Sequence, residues 1–181
     1  GIWENDERYR KGYLDHFKGY YLTGDTGYID KDGYVYVLGR MDGIINVAGH
    51  RLSTGEMEEI ISKHPDIAEC AVIGVNDDLK GEVPMGFIVL KQGIERDHRG
   101  IVDGAIALIR QEIGAVASFK LACVVNALPK TRSGKILRKN LKELADGVEC
   151  KIPATIEDAS VLDHCKEVIA TLGYPIIKEK K

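Results

Sequence analysis

No stretch of this sequence approaches the roughly 18 to 20 consecutive apolar residues that a membrane-spanning helix needs. No charged-then-apolar leader stands before a cleavage-like site either, so the chain reads as neither membrane-spanning nor visibly targeted. It opens on Gly1-Ile2-Trp3-Glu4 rather than on Met, and any targeting peptide is expected upstream of that point. Cysteine is sparse. Cys70, Cys123, Cys150 and Cys165 are far apart, with no Cys-x-x-Cys and no histidine at ligand spacing, which excludes zinc-ribbon and thioredoxin-like readings and leaves reduced, partly buried thiols. Positive charge is not in excess: 25 Lys and Arg against 28 Asp and Glu give a net charge of -3, which argues against a nucleic-acid partner. There is no internal repeat and no low-complexity tract. With 181 residues, 44% hydrophobic and 29% charged, the chain can form one globular core, or one domain plus a piece of another, but not two full-sized domains.

What is present is unevenly placed. Between positions 128 and 142 the basic residues Lys130, Arg132, Lys135, Arg138, Lys139 and Lys142 occur with no acidic residue among them. The stretch is therefore expected to meet an anion. Residues 20–22, 27–29 and 35–38 are β-branched or aromatic runs, the last two joined by the turn signal Lys31-Asp32-Gly33, and a boundary or hinge is expected at about Asp42, between Gly39 and Gly43. Beyond it, a short strand at 44–47 precedes a capping box, Ser53 to Glu56, opening a helix with Met57, Ile60 and Ile61 on one face. Strands are expected at 69–75, 86–90 and 121–125. A helix is expected through Ile101, Ala105, Leu108, Ile109 and Ile113, with further helices at 136–145 and 160–172 and a charged, frayed end at 178–181. This order predicts an α+β fold with helices packed on one short sheet.

Four stretches carry chemistry. In Tyr21-Leu22-Thr23-Gly24-Asp25 a carboxylate held by a tight turn can accept two hydrogen bonds from vicinal hydroxyls, as on a ribose; alone it would also read as an Asx-turn residue. Arg40 and Arg51, each close to a glycine, offer guanidinium forks to phosphate or ribose oxygens, or equally to surface salt bridges. Asp42 can sit in a hinge or cap a turn. In Pro129-Lys130-Thr131-Arg132-Ser133-Gly134-Lys135, the Ser-Gly pair gives the lysine freedom to enter and leave a site, and an ammonium there could draw two anions together. This is not a Walker loop, since the leading glycine is missing and Ile136 stands where a Ser or Thr would bind magnesium.

The order and spacing of these motifs, over nearly the whole chain, resemble the adenylate-forming enzymes: acyl-CoA synthetases, luciferase-like ligases and peptide-synthetase adenylation domains. The resemblance implies that residues 1–41 end a large β-rich amino-terminal domain, that 42–147 form a mobile carboxyl-terminal domain, and that 148–181 are a tail with a helix. It also implies roles for single residues. Lys135 would catalyse acyl-adenylate formation, Asp25 bind the ATP ribose, Arg40 the nucleotide and Arg51 its phosphate side, with Asp42 as the hinge. Gly49 would line the pantetheine tunnel, and Arg110 would meet the CoA nucleotide phosphate or else be an exposed helical charge. His50 is given no catalytic role. ATP and CoA are implied as substrates, with Mg2+ accompanying ATP on ligands outside this chain and no metal ligands within it.

Asn46-Val47-Ala48-Gly49-His50-Arg51-Leu52 further resembles the short-chain acetyl- and propionyl-CoA synthetases, closest to the propionate-preferring mitochondrial type. A mitochondrial matrix location follows as an expectation, with cytoplasm as the alternative. The family's acyl pocket, phosphate loop and most adenine contacts lie upstream, so the chain alone is expected to be inert. Lys135 would also be sensitive to acetylation, which removes its charge. A different class remains open: a stand-alone module whose basic loop holds CoA, an anionic protein or a membrane surface.

Overall fold

The computed structural model describes residues 1–175, and of Leu38, Gly39 and Asp42 the backbone alone. The charged end expected at 178–181 lies outside the described residues. Two compact units divide the chain, Gly1–Gly43 and the residues from Ile44 onward.

The first unit is organised by polar turns. Helix α1 (Asp6–Tyr13) is capped by Asn5, whose side-chain oxygen accepts the Arg8 N–H at 3.0 Å. It was not expected from periodicity because it buries no residue. Strands β1 (Asp25–Ile29) and β2 (Val35–Arg40) form the anticipated antiparallel hairpin. Its turn is closed by the Asp30 carboxylate, which accepts the N–H groups of Asp32 and Tyr34 at 2.9 Å each. The strand expected at 20–22 does not form. Instead the Leu22 N–H donates to the Tyr13 carbonyl at 2.8 Å and the Tyr21 ring stacks on Tyr13 at 5.1 Å, so this stretch pairs with the end of α1 rather than with a strand.

In the second unit, β3 (Ile44–Val47) and β4 (His50–Ser53) are joined by Ala48 and Gly49, at φ of 48° and 88°. Two left-handed residues in a two-residue hairpin are what a type I′ turn demands. Ser53 then caps α2 (Thr54–Ile61), accepting the Glu56 N–H at 3.3 Å as the capping box predicts. Strands β5 (Ile67–Asp77) and β6 (Gly81–Leu90) make a long antiparallel hairpin. β6 starts five residues before the strand expected at 86–90 and runs straight through Pro84. Pro84 stands opposite Gly74 of β5, and on the other edge of β6 it falls between the β3 pairing at Gly81 and the start of parallel β7 (Leu121–Val124) at Met85. The five-stranded sheet runs β4-β3-β6-β5, with β7 also on β6.

Alternation along β5 and β6 buries both faces of this sheet. Cys70, Val72 and Ile88 face α2 and α3 (His98–Glu112), packing with Met57, Ile61, Ile101, Ala105 and Ile109. Ala71, Ile73, Met85 and Phe87 face α4 (Arg138–Ala145) and α5 (Ser160–Thr171), packing with Leu141, Ala145, Cys165 and Ile169. The α+β class is as expected, with helices on both faces of the sheet, and α5 packs into the core.

The thiols report this packing. Burial, and secondarily the neighbouring Cys165, pushes Cys123 up to about 12, and burial pushes Cys165 up to about 11; Cys70 is raised by the same cause. Only Cys150 is partly exposed among the four free cysteines. Labelling of the native chain with a thiol reagent at pH 8 is expected to modify Cys150 first and the other three only on unfolding; four equally fast thiols would contradict the core described.

Candidate functional site

The candidate residues divide between the two units. In the first, the β1/β2 register sets Asp25 opposite Arg40. The Arg40 Nη1 lies 3.6 Å from Asp25 Oδ1 and donates to the Thr23 carbonyl at 3.0 Å, while Thr23 Oγ1 accepts the Asp25 N–H at 3.2 Å. Gly24, at φ 80°, lets the guanidinium lie against the turn: a Cβ there would meet Arg40 atoms at 3.0 to 3.2 Å. Thus Thr23, Gly24, Asp25 and Arg40 form one polar corner, with a carboxylate that remains 41% exposed. At that exposure the ion pair adds little stability. The backbone of Asp42 lies in a short 3-10 turn, Met41–Gly43, at the boundary between the units.

In the second unit, Gly49 occupies the left-handed position of the β3/β4 turn, which calls for glycine whatever ligand is present. A Cβ on it would meet nothing within 4 Å. Arg51 on β4 and Arg110 in the last turn of α3 are exposed, and neither makes an ion pair among the described residues.

Lys135 follows a tight turn. The Gly134 N–H donates to the Thr131 carbonyl at 2.8 Å, the Thr131 N–H to the Lys135 carbonyl at 2.9 Å, and the Lys135 N–H to Thr131 Oγ1 at 3.1 Å. Gly134 has φ 82°. Its glycine therefore serves this turn geometry, and the loop is internally bonded rather than the loose tether that Ser133-Gly134 implied. Travel of Lys135 would be travel of the unit that carries it.

The basic run, expected as a whole to meet an anion, is corrected by its partners. Lys130 pairs with Glu69 at 2.6 Å, Lys142 with Glu82 at 2.5 Å and Lys139 with Glu143 at 3.6 Å. Arg138 grips Glu58 with two bonds, at 3.0 and 2.7 Å. Tertiary folding brings the acids from α2, β5 and β6, so absence of acidic residues in sequence did not mean absence in space. Burial alone would raise the Glu82 carboxyl, but bonds from Lys142 and the Asn46 N–H outweigh it and hold it below the ordinary carboxylate range. Only Arg132 and Lys135 of the six cations make no ion pair among the described residues. Glu58 and Glu69 were not singled out from the sequence, where nothing local links them to a basic run 61 to 80 positions away.

No group of three or more His, Cys, Asp or Glu residues among those described stands close enough to hold a metal ion. A cleft of about 390 Å³ between the β5/β6 turn and α4 is lined by Asp77, Asp78, Asp146 and Tyr174 among others, and holds none of the candidate residues. Its carboxylates suit it poorly to phosphate.

Residues 56–135 match the family described as AMP-binding enzyme C-terminal domain, a span that contains Arg110 and Lys135. Over 168 residues the chain is 52% identical to an uncharacterized protein of Pseudomonas aeruginosa, covering 93% of this chain and 27% of that protein. It is 46% identical over 169 residues to mouse acyl-CoA synthetase short-chain family member 3, mitochondrial, covering 93% and 25%. Among solved structures, ATP-bound MatB from Rhodopseudomonas palustris superposes with a TM-score of 0.62 at 29% identity, covering 79% of this chain and 27% of that one. The chain thus spans about a quarter of the length of the curated relatives it matches. Motif order and these similarities agree: residues 56–135 form an AMP-binding enzyme C-terminal domain, and the chain is similar over most of its length to acyl-CoA synthetases.

Proposed function

We propose that this chain is the carboxyl-terminal part of an ATP-dependent acyl-CoA synthetase for short-chain carboxylates such as acetate or propionate. The observation that carries the reading is the state of the basic run: Lys130, Arg138, Lys139 and Lys142 are neutralised by carboxylates, whereas Lys135, with Arg132 three residues before it, has none among the described residues and follows a bonded turn. In the first half-reaction the substrate carboxylate oxygen attacks the α-phosphorus of ATP, the bond to the β-phosphate oxygen breaks, and pyrophosphate leaves with its electron pair. Two anions meet in that step, and the Lys135 ammonium offsets their repulsion and the charge on the transferring oxygens. In the second, the CoA thiol, losing its proton, attacks the acyl carbon and AMP departs.

The polar corner of Asp25 and Arg40 would hold ribose hydroxyls and nucleotide, Arg51 would face phosphate, and Asp42 would be the hinge about which Lys135 is exchanged for the CoA-facing surface at Gly49 and Arg110. Mg2+ would come with ATP on ligands outside this chain. An additional support is the β1/β2 hairpin, whose Tyr28, Ile29, Val35, Tyr36 and Val37 are all exposed within the described residues. Apolar residues on both faces of a hairpin suit a strand pair completed by further protein, here the rest of the large domain. The mitochondrial label of the short-chain relatives supports a matrix location, and the bacterial relative leaves cytoplasm as the alternative.

The test is Lys135→Ala in the full-length protein, followed through the two half-reactions. The isolated chain, assayed beside it with ATP, CoA and acetate or propionate, is expected to form no acyl-CoA. Turnover by the chain alone would overturn the division of labour, and tight CoA binding by calorimetry without turnover in the full-length protein would favour a binding module.

A further inference from the structure

Asn140 is a polar side chain only 5% exposed, with no part in the reaction proposed above. Its Nδ2 donates to the Lys151 carbonyl at 3.0 Å and to Cys150 Sγ at 3.2 Å, tying the chain that has left α4 back to that helix. A few residues on, the chain pairs with the lysine loop. The Arg132 N–H donates to the Thr155 carbonyl and the Glu157 N–H to the Lys130 carbonyl, both at 2.9 Å, with Thr131 opposite Ile156 in an antiparallel bridge. Immediately after, Asp158 accepts the Ser160 N–H at 2.9 Å and its hydroxyl at 2.7 Å at the start of α5, whose Leu162 is buried and whose Cys165 and Ile169 pack with Leu141 and Ala145. The segment is thus anchored at one end by Asn140 and at the other by the core.

We propose that residues 150–157 are a strap that holds the Lys135 loop in shape, with Asn140 as the positioning residue at its root. The turn's own bonds fix its local form, and the strap adds to the flanking ion pairs and to the core packing of Leu128 and Ile136 in tying it to the body of the unit. Without them the ammonium would sample positions ångströms apart, and a catalytic group misplaced by about 1 Å can lose on the order of a hundredfold in rate. The catalytic consequence rests on the synthetase reading; the strap itself does not.

Amide hydrogen exchange on the unmodified chain reads the strap directly. The Arg132 amide, whose acceptor is Thr155, is expected to exchange at least about tenfold more slowly than the Ser133 amide beside it, the ratio that one net hydrogen bond of about 1.4 kcal/mol supports. Equal rates would overturn the strap. Glu157→Pro removes the N–H that donates to Lys130, whereas Glu157→Ala keeps it. Brief trypsin treatment is therefore expected to cut after Arg132 and Lys135 several-fold faster in the proline variant and at the native rate in the alanine variant. Asn140→Leu should resemble the proline variant, and native-rate cutting of both would also overturn the proposal. In the full-length protein, Glu157→Pro should lower kcat of pyrophosphate exchange by about tenfold at nearly constant KM for ATP. A loosened loop with native kcat would remove the positioning role. A full-length protein without any pyrophosphate exchange would instead count against the synthetase reading, leaving the exchange and proteolysis results to decide the strap.

Discussion

Lys135→Ala in the full-length protein is expected to lower carboxylate-dependent ATP–pyrophosphate exchange by about 100- to 1,000-fold, the range for removing one preorganised electrostatic group from a charge-developing transition state. Thioester formation from supplied acyl-adenylate should stay within a few-fold of the native rate, because that step joins a thiol to an acyl group already activated. The fall should appear in kcat with KM for ATP little changed, since the ammonium acts where charge shifts rather than where the ground state binds. Lys135→Arg retains the charge on a broader, planar head and should recover little. Equal loss of both half-reactions would contradict the assignment. Because Lys135 is exposed and its side chain is outside both core clusters, a loss of fold is not the expected explanation, and an unchanged unfolding midpoint would establish that.

The largest effect on stability is expected from Glu58→Ala. Glu58 receives two bonds from Arg138 and also accepts the Val72 N–H of β5 at 2.8 Å, so one side chain joins α2, the sheet and the start of α4. It is only 16% exposed, against 39% for Arg138. Removing it leaves a guanidinium and a backbone N–H short of partners, a cost of about 2 to 3 kcal/mol once the partial exposure is allowed for. For a chain of this length that corresponds to a fall of roughly 5 to 10 °C in Tm. Glu58→Gln, which can still accept from Val72, should cost less than half as much. Arg138→Ala combined with Glu58→Ala should then cost less than the sum of the two single changes, and strict additivity would show that the pair is not coupled. Since Arg138 lies three residues after Lys135, the same variant tests whether this pair also steadies the loop, through faster cleavage after Lys135.

The local features were legible because their causes are local. Ser53 and Glu56 stand three apart, as a capping box requires; Ile101, Ala105 and Ile109 recur at helical period; and Asp30 to Tyr34 contain their own turn chemistry. The same logic explains the misses. Helix α1 has no buried face for a period to reveal, and the run at 20–22 has strand-like residues whose partner turned out to be a helix end. The lysine loop was legible as a motif but not as a structure.

By itself the sequence determined the α+β class and the likeness to the AMP-binding enzyme C-terminal domain, since each rests on order, spacing or period along the chain. Tertiary structure alone decided which charges are available. Arg138 meets Glu58 across 80 positions, Lys130 meets Glu69 across 61 and Lys142 meets Glu82 across 60, and the strap reaches Lys130 from Glu157. A charge written in sequence is only a potential partner. Folding brings distant carboxylates against Lys130, Arg138 and Lys142, a pairing that no local pattern encodes, and Arg132 and Lys135 keep none among the described residues.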